Sequence, residues 1–271
     1  MKFAIFSDIH SNPEAFFDVL RDAKEQGVTT KEQRILLGDI VGYGHDPLFA
    51  LQLARDTCGI VLKGNHEAGL IGEIGLDWFS YTSKEALVRQ RGVLNDEWRM
   101  WIGNLPYKYS KPTGHFYAAH GSYDAPEEFV YVDNPVDIAM EFARMRAGTD
   151  KSCRFNVDFI GHTHSRMALA MDGKTGKMEV LHDAVITVQP DQYYIFNVGS
   201  VGYPRVDRFV SYVIYDTDAS TVTYRKLPFD FKGYAERLAA NNIPTPLWLE
   251  DELERMERNA RESEKKEEET K

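Results

Sequence analysis

The chain has 271 residues, enough for one large domain or two small ones, and at 43% hydrophobic and 27% charged it can bury a sizeable core. With 32 Lys and Arg against 42 Asp and Glu the net charge is −10, which argues against a general affinity for extended nucleic acid or anionic membrane. Two cysteines, Cys58 and Cys153, are too few for a disulfide framework or a four-thiolate zinc site.

The run Met1 to Ser7 is interrupted by Asp8 too early for a signal peptide. No window approaches the roughly 18 apolar residues of a membrane span. The expected compartment is therefore the cytoplasm, with both cysteines as free thiols. Phe3 to Phe6 reads as a buried strand. Pro13 to Gln26 reads as a helix, with Asn12 as its cap and Gly27 at its end. Arg34 to Leu37 is the next strand, Pro47 to Arg55 a second helix capped by Asp46, and Ile60 to Leu62 a third strand. This β-α-β-α-β order predicts a parallel sheet covered by helices.

Residues 68–105 form an insert, with helical patterns over Trp78 to Arg91 and Asn95 to Gly103. It is expected to be either a lid over the sheet rim or a contact between copies in a homo-oligomer. His115 to Ala119 reads as a strand, Pro135 to Ala147 as a helix and Val157 to Ile160 as a buried strand. Five short β segments follow, over 167–171, 178–182, 193–197, 209–216 and 221–227, and predict a mostly antiparallel sheet in the second half. A catalytic domain over 1–249 would then give way to a charged helix or tail over 250–271, with ten acidic and six basic side chains.

Five strands run directly into polar residues, often beside glycine: Asp8-Ile9-His10, Gly38-Asp39, Gly64-Asn65-His66-Glu67, His120-Gly121 and Gly161-His162-Thr163-His164. The carboxyl ends of strands are where α/β sheets place ligands. Imidazole, carboxylate and amide oxygen without thiolate suit divalent transition ions. Asp8 and His10 are two apart, as are His162 and His164, and in extended segments each pair points one way. Asp8, His10, Asp39, Asn65, His120, His162 and His164 make seven ligands, more than one ion needs, so two ions sharing Asp39 are expected.

These motifs, in this order, resemble the signature of the calcineurin-like metallophosphoesterase superfamily. The stretches Gly38 to Gly44 and Asn197 to Arg205 resemble its bacterial and archaeal phosphodiesterase-like branch more narrowly. The resemblance runs through about residues 1–245 and leaves the acidic tail outside. It implies an α/β fold, a two-sheet sandwich flanked by helices in four αββα layers. It implies that Asp8, His10 and His164 hold one ion and Asn65, His120 and His162 the other, with Asp39 bridging and His66 binding none.

The mechanism expected from this set is phosphoester hydrolysis. A water shared by two cations gives hydroxide near neutral pH, and His66 protonates the leaving oxygen. Asn65 also orients the phosphate. The leading reading is a phosphodiesterase on a small organic phosphate. A phosphomonoesterase, a protein phosphatase or a nuclease is the alternative, and a non-catalytic scaffold is a reading from another class. The ligand types suit Mn, Fe, Ni, Zn or Co. Tyr43, Tyr123 and Tyr203 are candidate contacts for the organic group and Arg205 for a phosphate oxygen. His45, His115 and His182 are expected to stand outside the chemistry.

Overall fold

The computed structural model describes residues 1–111, 116–148 and 156–269; His115 and Cys153 lie outside them. The first half follows the expected order: β1 (Lys2–Phe6), α1 (Pro13–Glu25), β2 (Arg34–Leu36), α2 (Pro47–Thr57) and β3 (Ile60–Val61). The Asn12 side chain caps α1 by accepting from the Ala15 amide at 3.3 Å, and Asp46 caps α2 through the Phe49 amide at 3.0 Å. A helix that the sequence pattern does not show, α3 (Asn65–Ile71), leads into the insert, which continues with α4 (Tyr81–Arg91) and α5 (Asp96–Gly103). Trp78 precedes α4 in a short 3-10 turn, because Ser80 caps α4 instead, through the Ser83 amide at 3.3 Å.

The middle and second half supply β4 (Lys108–Lys111), β5 (Phe116–Ala119), α6 (Pro135–Ala147), β6 (Val157–Ile160), β7 (Arg166–Asp172) and β8 (Met178–Val180). They continue with β9 (Val185–Thr187), β10 (Gln192–Val198), β11 (Val210–Asp216) and β12 (Thr221–Leu227). A separate antiparallel sheet is not what these strands build. β11, β12 and β9 extend the first sheet in the order β3-β2-β1-β11-β12-β9, and β10, β7 and β8 extend the second as β4-β5-β6-β10-β7-β8. Each six-stranded sheet is mixed: β1 pairs parallel with β2 but antiparallel with β11, and β10 pairs parallel with β6 but antiparallel with β7. Hydrophobic surface drives this division. Both sheets have an inner face to cover, so the later strands are shared between them.

Alternation along the strands builds the core between the sheets. Phe3, Ile5, Ile35, Val213 and Tyr215 face Phe116, Val157, Phe159, Ala170 and Phe196. On the outer face of the second sheet Ile160, Leu169 and Ile195 pack with Phe142 and Met145 of α6. On the outer face of the first, Phe6 meets Phe16 of α1 edge-on at 5.2 Å. Burial on both faces explains why these strands read as unbroken apolar runs. The result is an α/β two-sheet sandwich flanked by helices.

Residues 229–271 form a second compact unit containing α7 (Phe231–Ala240) and α8 (Leu247–Glu269), with Phe229, Phe231, Tyr234 and Trp248 clustered between them. No described helix is long and apolar enough to cross a membrane.

Candidate metal centre

The five polar strand ends meet at one rim. Asp39 is the hub: its Oδ2 lies 3.6 Å from His10 Nε2, 3.3 Å from His120 Nε2 and 3.9 Å from His66 Nε2. On one side His164 Nε2 lies 3.3 Å from Asp8 Oδ1 and 3.0 Å from His10 Nε2. On the other, His120 Nε2 lies 3.2 Å from Asn65 Oδ1 and 3.1 Å from His162 Nδ1. Asp8, His10 and His164 form one compact donor group, and Asp39, His120 and His162 another. His10, Asp39 and His66 also fall within the same reach.

The two-residue spacing does not work by extended alternation. Asp8, His10, Asp39, His162 and His164 all have positive φ, between 47° and 68°. Left-handed backbone in non-glycine residues costs about 1–3 kcal/mol each and persists only where the surroundings enforce it. Here the enforcement is hydrogen bonding between loops. The Asp8 amide donates to Gly38 O at 3.1 Å, the His10 amide to Asp39 O at 2.9 Å and the Gly202 amide to Asp8 O at 2.9 Å. Each strand end curls tightly, and both members of a pair turn to the same rim.

Three imidazoles are committed by their second nitrogen. Nδ1 of His10 meets Val41 O at 2.9 Å, that of His120 meets Leu37 O at 3.2 Å and that of His164 meets Tyr203 O at 2.7 Å. A carbonyl only accepts, so each Nδ1 carries the hydrogen, which leaves the Nε2 of His10 and of His164 to present a lone pair to the rim and the Nε2 of His120 to face the Asp39 carboxylate. His10 and His164 therefore aim two lone pairs at each other across 3.0 Å. The buried Oδ1 of Asp8, beside them, accepts no hydrogen bond. This is a donor set that fits cations, and carbonyl-anchored histidines are the usual support for metal ligands.

Charge and burial pull in opposite directions. Burial opposes ionisation of Asp8, but the neighbouring His164, His10 and His120 outweigh it and hold its pKa below the ordinary carboxylate range. Asp39 is likewise held well below that range, by His120 and His66 against burial. Burial drives His164 far down and takes His162 to about 3, helped by the charge of His120. His120 is the exception: Asp39 overcomes its burial and raises it to about 9. Burial also lowers His66 to about 3.

Some residues around the rim have no counterpart in the sequence reading beyond their place in a motif. The Glu67 carboxylate accepts from four backbone amides: Asp39 at 2.8 Å, Ile40 at 2.8 Å, Val41 at 3.1 Å and Gly64 at 2.9 Å. It ties the Asp39 loop to the Asn65 turn. Asn197 does the same for the His162 loop, donating to Gly161 O at 2.7 Å and Thr163 Oγ1 at 3.0 Å. Gln90 of α4 accepts from the Gly42 amide at 2.7 Å and donates to Ser11 Oγ at 3.1 Å. The insert is thus fastened to the site loops. Gly64 is required by close approach: a Cβ there would lie 2.2 Å from Asp39 Oδ1.

The predicted substrate contacts divide. Tyr43 and Tyr203 are buried and stacked on each other at 4.0 Å, and both pack edge-on to His10. Ser83 of α4 donates to the Tyr43 hydroxyl at 2.6 Å. Arg205 is half-buried, and its charge is felt at His164 and Tyr131. Tyr123 is not brought to the rim; it packs on Tyr117 at 4.0 Å with the Lys108 ammonium 4.6 Å above its ring. His45 pairs with Glu14 at 3.2 Å, and His182 is exposed beyond β8. Burial raises the Cys58 thiol to about 12, so it is unactivated.

The comparisons with known proteins settle the family. The model of the family described as Calcineurin-like phosphoesterase matches residues 1–166. The chain belongs to the calcineurin-like phosphoesterase family. It is a phosphoric ester hydrolase of the metallophosphoesterase type. An uncharacterized protein of Methanocaldococcus jannaschii is 29% identical over 256 residues, covering 92% of this chain and 96% of that one. The crystal structure of a metallophosphoesterase from Sphaerobacter thermophilus is 29% identical, with TM-score 0.73 over 92% of this chain and 96% of that one. A hypothetical protein from Pyrococcus horikoshii shares the fold at 18% identity, with TM-score 0.65 over 90% and 94% of the two chains.

Proposed function

We propose that this metallophosphoesterase hydrolyses a phosphodiester of a small organic alcohol at a centre of two divalent ions, with His66 as general acid. The observation that carries the reading is the pair of donor groups on either side of Asp39. Asp8, His10 and His164 would hold one ion and Asn65, His120 and His162 the other, with Asp39 shared; the donors suit Mn, Fe, Ni, Zn or Co. When bound, two such ions supply positive charge for a phosphoryl group and acidity for a water molecule.

The chain's own residues do the rest. His66 Nε2 faces Asp39 at 3.9 Å, and its backbone amide donates to Asp39 Oδ1 at 3.0 Å, so its ring is fixed at the hub. It rests neutral because it is buried. A phosphate anion arriving beside it favours the protonated ring, which then donates to the departing alkoxide. Asn65 orients the phosphate. Arg205 offers a guanidinium to a phosphoryl oxygen. Tyr43 and Tyr203 brace His10.

The test is hydrolysis of bis-(p-nitrophenyl) phosphate and p-nitrophenyl phosphate with Mn²⁺, alongside His66→Gln. The diester should be the better substrate. The variant should keep its metal while losing roughly 10²–10⁴-fold in turnover of a diester with a poor leaving group. Full turnover in His66→Gln would sink the acid assignment, and a monoester preference would sink the diesterase reading.

A further inference from the structure

A cavity of about 490 Å³ opens beside Asn65 and His162. Its walls come from two parts of the chain. Trp78 and Phe79 are supplied by the insert, and Glu127, Glu128, Phe129 and Tyr131 by the loop after β5. Tyr131 lies stacked on His162, with ring centroids 3.8 Å apart and 24° between planes, yet is 46% exposed. Phe79 meets His66 edge-on at 5.4 Å. Trp78 is 89% exposed, an indole held at the rim with little of its surface packed against protein.

Three properties narrow the occupant. Its position, against the candidate ligands Asn65 and His162 and with its wall residue Phe79 touching the candidate acid His66, makes it a receptacle for the organic part of the ester. Its size lies in the roughly 300–1,000 Å³ range of pockets for whole organic ligands, more than a lone ammonium headgroup fills. Its lining offers four aromatic rings and two glutamates but no lysine or arginine. Such walls stack a planar π-system and accept from N–H donors, and they repel a further phosphate or carboxylate.

Building on the hydrolase reading above, we propose that this cavity receives a nucleobase, so that the substrate is a nucleoside phosphodiester without additional phosphates. The base stacks on Trp78 and Tyr131 and its N–H groups reach Glu127 or Glu128. Hydrolysis adds water across one P–O bond and leaves a phosphomonoester and a free hydroxyl. The insert then contributes to specificity through Trp78 and Phe79.

The experiment compares 2′,3′-cyclic AMP with glycerol 1,2-cyclic phosphate, two five-membered cyclic diesters that differ in the nucleoside. Full-length protein loaded with Mn²⁺ is used, and bis-(p-nitrophenyl) phosphate reports the hydrolase activity separately. The expected kcat/KM favours the nucleoside substrate by about tenfold or more, in line with the worth of base–aromatic stacking. Trp78→Ala and Tyr131→Ala should each reduce that ratio, chiefly through KM, with melting temperatures showing that the variants fold. Equal kcat/KM for the two substrates in the parent, or a ratio unmoved in both variants, overturns the proposal. So does a stronger preference for glycerophosphocholine, which would assign the rings to an organic cation. If bis-(p-nitrophenyl) phosphate is not hydrolysed, the hydrolase reading fails instead. Binding of AMP, weakened by Trp78→Ala, would then still support the base pocket, and absence of AMP binding would overturn it.

Discussion

The Nε2 atoms of His10 and His164, 154 positions apart in the chain, lie 3.0 Å from each other while both Nδ1 atoms are committed to carbonyls. Two lone pairs facing each other at that distance repel, and a cation between them converts the repulsion into ligation. Chelator treatment should therefore abolish activity and lower the melting temperature, and added Mn²⁺ should restore both. At a hundredfold excess over Kd a ligand that binds only the folded state adds about 2.7 kcal/mol per site. Calorimetry with and without metal checks this; equal melting temperatures would contradict it.

Gly42 is shaped to fit His66. Its φ is +91°, and a Cβ there would lie 1.9 Å from His66 Nδ1. Gly42→Ala should push the ring out of place, with a backbone cost of about 1–3 kcal/mol. Metal content should stay at the parent level, since neither residue is among the proposed ligands. Turnover of a poor-leaving-group diester should fall by at least tenfold, up to the roughly 10²–10⁴ of a general acid. Turnover of bis-(p-nitrophenyl) phosphate, whose leaving group needs little protonation, should fall less. Equal losses on both substrates would point to a general distortion.

Glu67 governs the hub indirectly. With four amide donors on one buried carboxylate, Glu67→Gln replaces one accepting oxygen by an NH₂ that confronts N–H groups. Hydrogen bonds to charged groups are worth about 1.5–3 kcal/mol each, so losing two of them should cost several kcal/mol. The Asp39 loop should loosen, and metal stoichiometry should fall. Metal analysis and thermal unfolding of the variant check this, and parent-level metal content would show that Asp39 does not depend on Glu67 for its position.

Why the sequence showed the rim more clearly than its supports follows from where each signal sits. Asp8, Asp39, Asn65, His120 and His162 each stand at or within a few residues of the end of an apolar strand, so local pattern locates them. Gln90 reaches Gly42 across 48 positions from an insert helix, and its role is a property of the fold alone. Tyr131 lies in a loop with neither periodicity nor motif. β9 is three residues long with two exposed, which leaves too little pattern to read. α3 is hidden because it starts inside the Gly-Asn-His-Glu run, whose residues speak of chemistry before helix. The strand assignments of the second half were legible, but their division between two sheets was not, because alternation within a strand does not name its neighbour.

His120 contributes a pH dependence of its own to the metal-free protein. Burial opposes its proton, but the Asp39 carboxylate outweighs burial and raises its pKa from the ordinary 6.5 to about 9. A folded-state pKa above the unfolded one means the stabilisation is fully present below about pH 6.5 and is lost as pH rises through about 9. Metal uptake has the opposite slope. A ligating imidazole must give up its proton, so affinity should strengthen as pH rises toward 9, and binding at pH 7 should release a proton. Titration calorimetry at pH 7 in two buffers of different ionisation enthalpy reads that proton directly. His120→Gln should lose the proton release together with one ligand, while metal-free His66→Gln should keep it. Equal binding heats in the two buffers would mean that Asp39 does not hold a proton on His120.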